Sequence, residues 1–232
     1  MNPRTRILAW LYWAVTLASL AWACWLAAEY APIEREMGVV QKILYLHLPV
    51  AMNTFLAAFV AFIAGIGYLW SREDRWDDLA QASAKVAVLF CTVVLATGMI
   101  WAHGAWNTWW TWSPRLTLSF ILWLFYAAYL LVRPLVDSPG RRAVISAVYL
   151  IIAFLNVPLV YFSVQMIPED MHPKDIALDP AMRRTLLAWF VPVTLMCVGL
   201  IAGRYAMAQR RRFATTADTR VAAPRSLAEA RP

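Results

Sequence analysis

The chain has 232 residues, 62% of them hydrophobic and only 15% charged, with a formal net charge of +7. A soluble domain is about half apolar and about a quarter charged, so this composition excludes an ordinary soluble enzyme and leaves room for several membrane spans of about 20 apolar residues each. The positive charge does not point to nucleic acid, because the basic residues flank apolar runs, where the orientation rule for the lipid bilayer accounts for them.

Taken in chain order, the first apolar run covers about 6–28. It is long and carries no small-residue cleavage site, so it reads as a spanning helix and not as a signal peptide. Further runs cover about 43–70, 83–101, 117–135, 142–166 and 185–207. The expectation is an all-α integral membrane protein whose residues 1–207 form six transmembrane helices. With the amino terminus in the cytoplasm, fifteen of the 21 Lys and Arg residues fall on the cytoplasmic side. Both termini are therefore expected inside, and the outer loops become 29–42, 102–116 and 167–184.

The inner links, Ser71–Asp78 and the Arg133-Pro134 to Gly140 stretch, read as plain solvated connectors. Residues 208–232 are basic, then rich in Ala, Thr and Arg, and read as a disordered cytoplasmic tail. Asn156-Val157-Pro158 predicts a kink in the fifth span, with Asn156 supplying a donor for the carbonyl that proline frees. Cys24, Cys91 and Cys197 lie singly in apolar runs with no metal-ligand spacing, as small buried hydrophobes do.

Five tryptophans, Trp101, Trp106, Trp109, Trp110 and Trp112, crowd the second outer loop, together with Gly104, Asn107, Ser113 and Pro114. An interfacial belt places one or two Trp at each helix end, whereas a cluster suits a platform for a large, flat, apolar ligand. Of the three histidines, His47 stands at the outer end of the second span, in Tyr45-Leu46-His47-Leu48-Pro49, and His172 in the third outer loop. Two imidazoles flanking an indole-rich loop match the needs of a haem. Neutral imidazole nitrogens ligate the iron, aromatic side chains cover the ring faces, and an arginine meets the propionates. Arg115 is the first candidate for that last role, with Arg183 and Arg184 as others. His103, inside the loop, has no partner visible in the sequence.

Trp106-Asn-Thr-Trp-Trp-Thr-Trp-Ser-Pro-Arg-Leu-Thr117 resembles the tryptophan-rich "WWD" signature of haem-handling membrane proteins. Its ending, Arg115-Leu116-Thr117, is similar to the branch called cytochrome c maturation protein C. Tyr45–Pro49, Asn156–Pro158 with Ser163-Val164, and Met171-His172 agree with that branch. The chain departs from the pattern at Asn107, where the family has Gly, at Ser113, where it has Asp, and at Met166-Ile167, where it has a Trp pair. The resemblance implies a non-enzymatic carrier in the bacterial inner membrane. It would hold haem b at the periplasmic face between His47 and His172, against Trp101, Trp106, Trp109, Trp110, Trp112 and Arg115. It would pass the haem to a membrane-anchored covalent haem chaperone. The implied partners are the ATPase and permease subunits of an ABC-type transporter and a small single-helix membrane subunit. Two alternatives stand beside this reading: the haem lyase (synthetase) branch of the same superfamily, and a haem-free permease or assembly subunit whose Trp loop is an interfacial belt.

Overall fold

The computed structural model describes residues 3–166 and 178–229. His172 lies outside the described residues. Among the described residues, six helical segments are long and apolar enough to cross a membrane: Pro3–Tyr30, Val39–Ser71, Asp74–Trp106, Pro114–Leu135, Pro139–Ser163 and Pro180–Ala214. No β-strand occurs among the described residues.

Helix α1 (Pro3–Trp25) ends in a π-helical turn, Leu26–Tyr30. A 3-10 turn, Val39–Ile43, leads into α2 (Leu44–Ser71). Next come α3 (Asp74–Trp106) and α4 (Pro114–Val132), the latter closed by a 3-10 turn, Arg133–Leu135. The fifth span is divided into α5 (Pro139–Phe154) and α6 (Asn156–Met166), and α7 covers Pro180–Glu229. Both α4 and α5 open on a proline preceded by an extended serine, Ser113 and Ser138. Proline fits a first turn, where its missing N–H has no intrahelical partner to lose.

The helix breaks have local causes. At its carboxyl end α3 is capped by Asn107 in the left-handed region (φ 53°), whose N–H bonds the His103 carbonyl at 2.9 Å. Glycine is the usual residue there, and asparagine is among the few others that tolerate it. Asn107 thus keeps the turn that a glycine would make. In the fifth span, Pro158 cannot bond the Phe154 carbonyl and its ring collides with it, so the helix breaks at Leu155. Asn156 does supply a donor, but across the interface: its Nδ2 donates to the Leu118 carbonyl of α4 at 2.9 Å.

In the packing, α2 is central, resting on α3, α5 and α7, while α4 packs on α3 and α6, and α1 on α7. Its buried face is built from Ala57, Ala58, Ala61 and Ala64, and Ala80, Ala84 and Ala87 of α3 are buried as well. Small residues let helix backbones approach closely, which is what holds spans together where the surrounding lipid is as apolar as their side chains. At the edge of the bundle, Gly199 of α7 makes room for the rings of Tyr12 and Trp13 of α1.

Two expectations are corrected at the end of the bundle opposite the Trp loop. Ser71–Asp78 is a solvated turn only in its first half, where 71–75 are exposed. Helix α3 begins at Asp74, nine residues before the expected start at 83, and Asp77 and Asp78 are buried. Arg133 donates to Asp77 at 2.8 Å and to the Ser146 hydroxyl at 2.7 Å. Arg212 pairs with Asp74 at 2.6 Å and with Asp78 at 2.7 Å, and Gln209 donates to Asp78 at 2.8 Å. Buried carboxylates are tolerable only when paired and hydrogen-bonded in this way. The second difference follows: α7 does not stop near 207 but continues as helix to Glu229, and Arg212, placed by sequence in a loose tail, is fastened to α3.

Candidate functional site

At the Trp-loop end, α2, α3, α4, α6 and the 108–113 loop surround a cavity that opens to the outside, with about 980 Å³ of empty space when the solvent at its mouth is included. Its wall includes His47, Trp101, Trp106, Trp110 and Arg115, and its deep end includes Cys91, Leu122 and Val160. Trp101 and Cys91 are ten residues apart on α3, so at about 1.5 Å per residue the cavity reaches about 15 Å along that helix.

His47 lies in the first turns of α2 and is half-buried. Its ring meets the edge of Trp101 at a centroid distance of 5.8 Å. Trp101 is only 4% exposed and lies against Trp106, centroids 6.4 Å apart and planes 24° from parallel. Trp110 stands edge-on to Phe120 at 6.1 Å. Three indoles and one imidazole thus converge on one cavity from α2, α3 and the loop.

The other two indoles do not join them. Trp109 is 57% exposed and stacks on His103 at 4.1 Å, and Trp112 is 74% exposed at the outer edge of Trp110. His103 therefore has a partner, an indole face, and it is not among the residues lining the cavity. The sequence assigned all five Trp residues to one platform because clustering in a loop does not reveal which way each ring turns. His172 falls outside the described residues.

Thr97 and Gly98 were not singled out in the sequence. Thr97 Oγ1 lies 2.9 Å from His47 Nδ1. Gly98 lines the cavity beside the same ring, and a Cβ there would come within 3.2 Å of His47 Cε1. The available signal was faint: a hydroxyl and a glycine side by side in an apolar run, one turn before Trp101.

The donor set fits a flat apolar ligand with acceptor groups at its rim. Trp101, Trp110 and Ser113 line the cavity, and Trp101 Nε1, Trp110 Nε1 and Ser113 Oγ are buried without a hydrogen-bond partner among the described residues. A buried donor left unmade costs about 1–3 kcal/mol, so carboxylate or other acceptor oxygens entering the cavity would relieve a real deficit. Ser113, where the signature has Asp, presents a hydroxyl at this wall in place of a negative charge.

Six apolar spans among the described residues, four of which surround an indole-lined cavity at one end of the bundle, define a multi-pass membrane protein. Residues 1–225 match the family model described as Heme exporter protein C, and the chain belongs to that family. It is similar to Heme exporter protein C of Bradyrhizobium diazoefficiens, at 32% identity over 201 residues, covering 84% of this chain and 76% of the relative. It is similar also to the Escherichia coli (strain K12) protein of that name, at 28% identity over 162 residues, or 68% of this chain and 65% of the relative. A shorter stretch of 103 residues is 39% identical to Cytochrome c biogenesis protein CcsA of Prochlorococcus marinus, covering 44% of this chain and 32% of that protein.

Proposed function

We propose that this chain binds haem b in the indole-lined cavity and delivers it to a membrane-anchored covalent haem chaperone during c-type cytochrome maturation. His47 and His172 would hold the iron through their imidazole nitrogens. Trp101, Trp106 and Trp110 cover the ring, and Arg115 meets the propionates. The chain acts as a carrier and not as an enzyme. It works beside the ATPase and permease subunits of an ABC-type transporter and a small single-helix subunit. It sits in the bacterial inner membrane with both termini cytoplasmic and the cavity on the periplasmic side, the arrangement favoured by the distribution of Lys and Arg.

The observation that carries this reading is the convergence of His47 with Trp101, Trp106, Trp110 and Arg115 on one cavity, in a chain of the Heme exporter protein C family. Imidazole for iron, indoles for the porphyrin faces and a guanidinium for carboxylates are the chemistry that haem requires. When bound, haem supplies the iron and the vinyl groups that a recipient protein would bond. This chain's own residues would only orient it and shield it from water.

The test is an absorption spectrum of the purified chain in detergent. Stoichiometric haem with a six-coordinate signature is expected, lost in the His47→Ala, His172→Ala double variant. Haem kept with unchanged ligation in that variant would overturn the axial assignment. The stretch similar to CcsA favours a second reading, direct attachment of haem to an apocytochrome. Thioether formation on an apocytochrome, with this chain as the sole haem-handling protein, would decide for it.

A further inference from the structure

We propose that Thr97 is the positioning residue of the cavity: it fixes the proton of His47 on Nδ1, so that Nε2 carries the lone pair that meets iron. The second half of this statement rests on the haem reading above; the first does not.

A threonine hydroxyl has one proton and two acceptor lone pairs. Thr97 Oγ1 lies 2.7 Å from the Val93 carbonyl and 3.2 Å from the Val94 carbonyl. A carbonyl can only accept, so the single hydroxyl proton is committed to the backbone of α3. Toward His47 Nδ1, 2.9 Å away, Thr97 can then only accept. Neutral imidazole holds one proton, and this contact puts it on Nδ1.

Two neighbours on the same helix hold the ring to that contact. Gly98 lacks the side chain that would press on Cε1, at 3.2 Å. Trp101, one turn further on, meets the ring at 5.8 Å with planes 72° apart. Thr97, Gly98 and Trp101 thus form a seat on α3 for a side chain carried by α2. Ligating histidines are commonly oriented by a hydrogen bond to the second ring nitrogen, and loss of that bond commonly weakens metal binding about 10–100-fold. Here the acceptor is a hydroxyl whose own proton is tied down, which makes it directional.

Two measurements on one set of samples test this. The chain has only three histidines, so a histidine-selective ¹⁵N spectrum of the haem-free chain in lipid nanodiscs resolves them, with His47→Ala giving the assignment. His47 should carry its proton on Nδ1 in the wild type and in Thr97→Ser, and should lose that preference in Thr97→Val, which keeps the shape and removes the acceptor. A proton on Nε2 in the wild type, or an unchanged tautomer in Thr97→Val, would overturn the proposal. Haem is then titrated into the same samples. Thr97→Val should bind about tenfold more weakly, with altered low-spin electron paramagnetic resonance values, and Thr97→Ser should restore both. Equal affinity and spectra in Thr97→Val would overturn the iron-directed half. A wild type with its proton on Nδ1 that takes up no haem would instead overturn the haem reading. If Thr97→Val yields no folded protein, the wild-type and Thr97→Ser tautomers alone decide.

Discussion

The Cα of Gly98 faces the imidazole of His47 so closely that a methyl group placed there would sit 3.2 Å from Cε1. The ring is thereby confined between α3 and the cavity, and its position depends on a side chain that is absent.

Gly98→Ala should therefore displace His47 and weaken haem uptake while the helix itself gains slightly, since alanine favours helix over glycine by about 1 kcal/mol. Gly203→Ala is the control, because a Cβ at Gly203 meets nothing within 4 Å. Haem titration and thermal unfolding of both variants check this. Equal haem affinity in the two would show that the ring has room to move.

The five tryptophans should divide by burial. Trp101→Phe and Trp110→Phe remove indoles, and buried indole N–H groups, from the cavity wall. Each should weaken haem retention several-fold, as expected for an aromatic contact contributing about 0.5–1.5 kcal/mol. Trp109→Phe and Trp112→Phe alter exposed rings and should leave the haem spectrum unchanged. The full set of four spectra, recorded at equal protein concentration, is the measurement.

The ion pairs at the opposite end should govern stability and not haem binding. Arg133 and Asp77 pair with side chains only 9% and 5% exposed. Removing one partner of such a pair leaves the other charge buried, a loss of up to about 3–5 kcal/mol, of which Asp77 recovers part through Arg212 at 3.3 Å. Arg133→Ala should lower the unfolding temperature sharply in detergent. Arg133→Met with Asp77→Leu should recover much of the loss, since two apolar residues leave no charge behind. Both variants should keep the spectrum of any haem they bind.

The tie between the broken fifth span and α4 should depend on Asn156. Its Nδ2 ties the start of α6 to the Leu118 carbonyl at 2.9 Å, and Val160, one turn on, lines the cavity. Asn156→Leu should cost about 1 kcal/mol, the usual scale of an interhelical hydrogen bond within a membrane. Thermal unfolding measures that cost, and a haem-binding change smaller than that of Gly98→Ala is expected.

The spans and the place of His47 were legible in the sequence because each follows from properties added up along a short stretch; the outer loop expected over 102–116 was not, since α3 runs on to Trp106. Apolar length marks a span, prolines mark its ends, and a histidine in an apolar run stands out alone. What remained hidden depends on helix rotation and crossing. Thr97 and His47 are 50 positions apart, Arg133 and Asp77 56, and Arg212 and Asp77 135. No local pattern records which faces of distant helices meet, so only the tertiary structure could turn three indoles inward and two outward, bury Asp77 and Asp78 between arginines, and seat an imidazole on a threonine. Hydropathy is a property of segments, whereas a hydrogen bond of 2.9 Å is a property of two backbones held in register by everything packed around them.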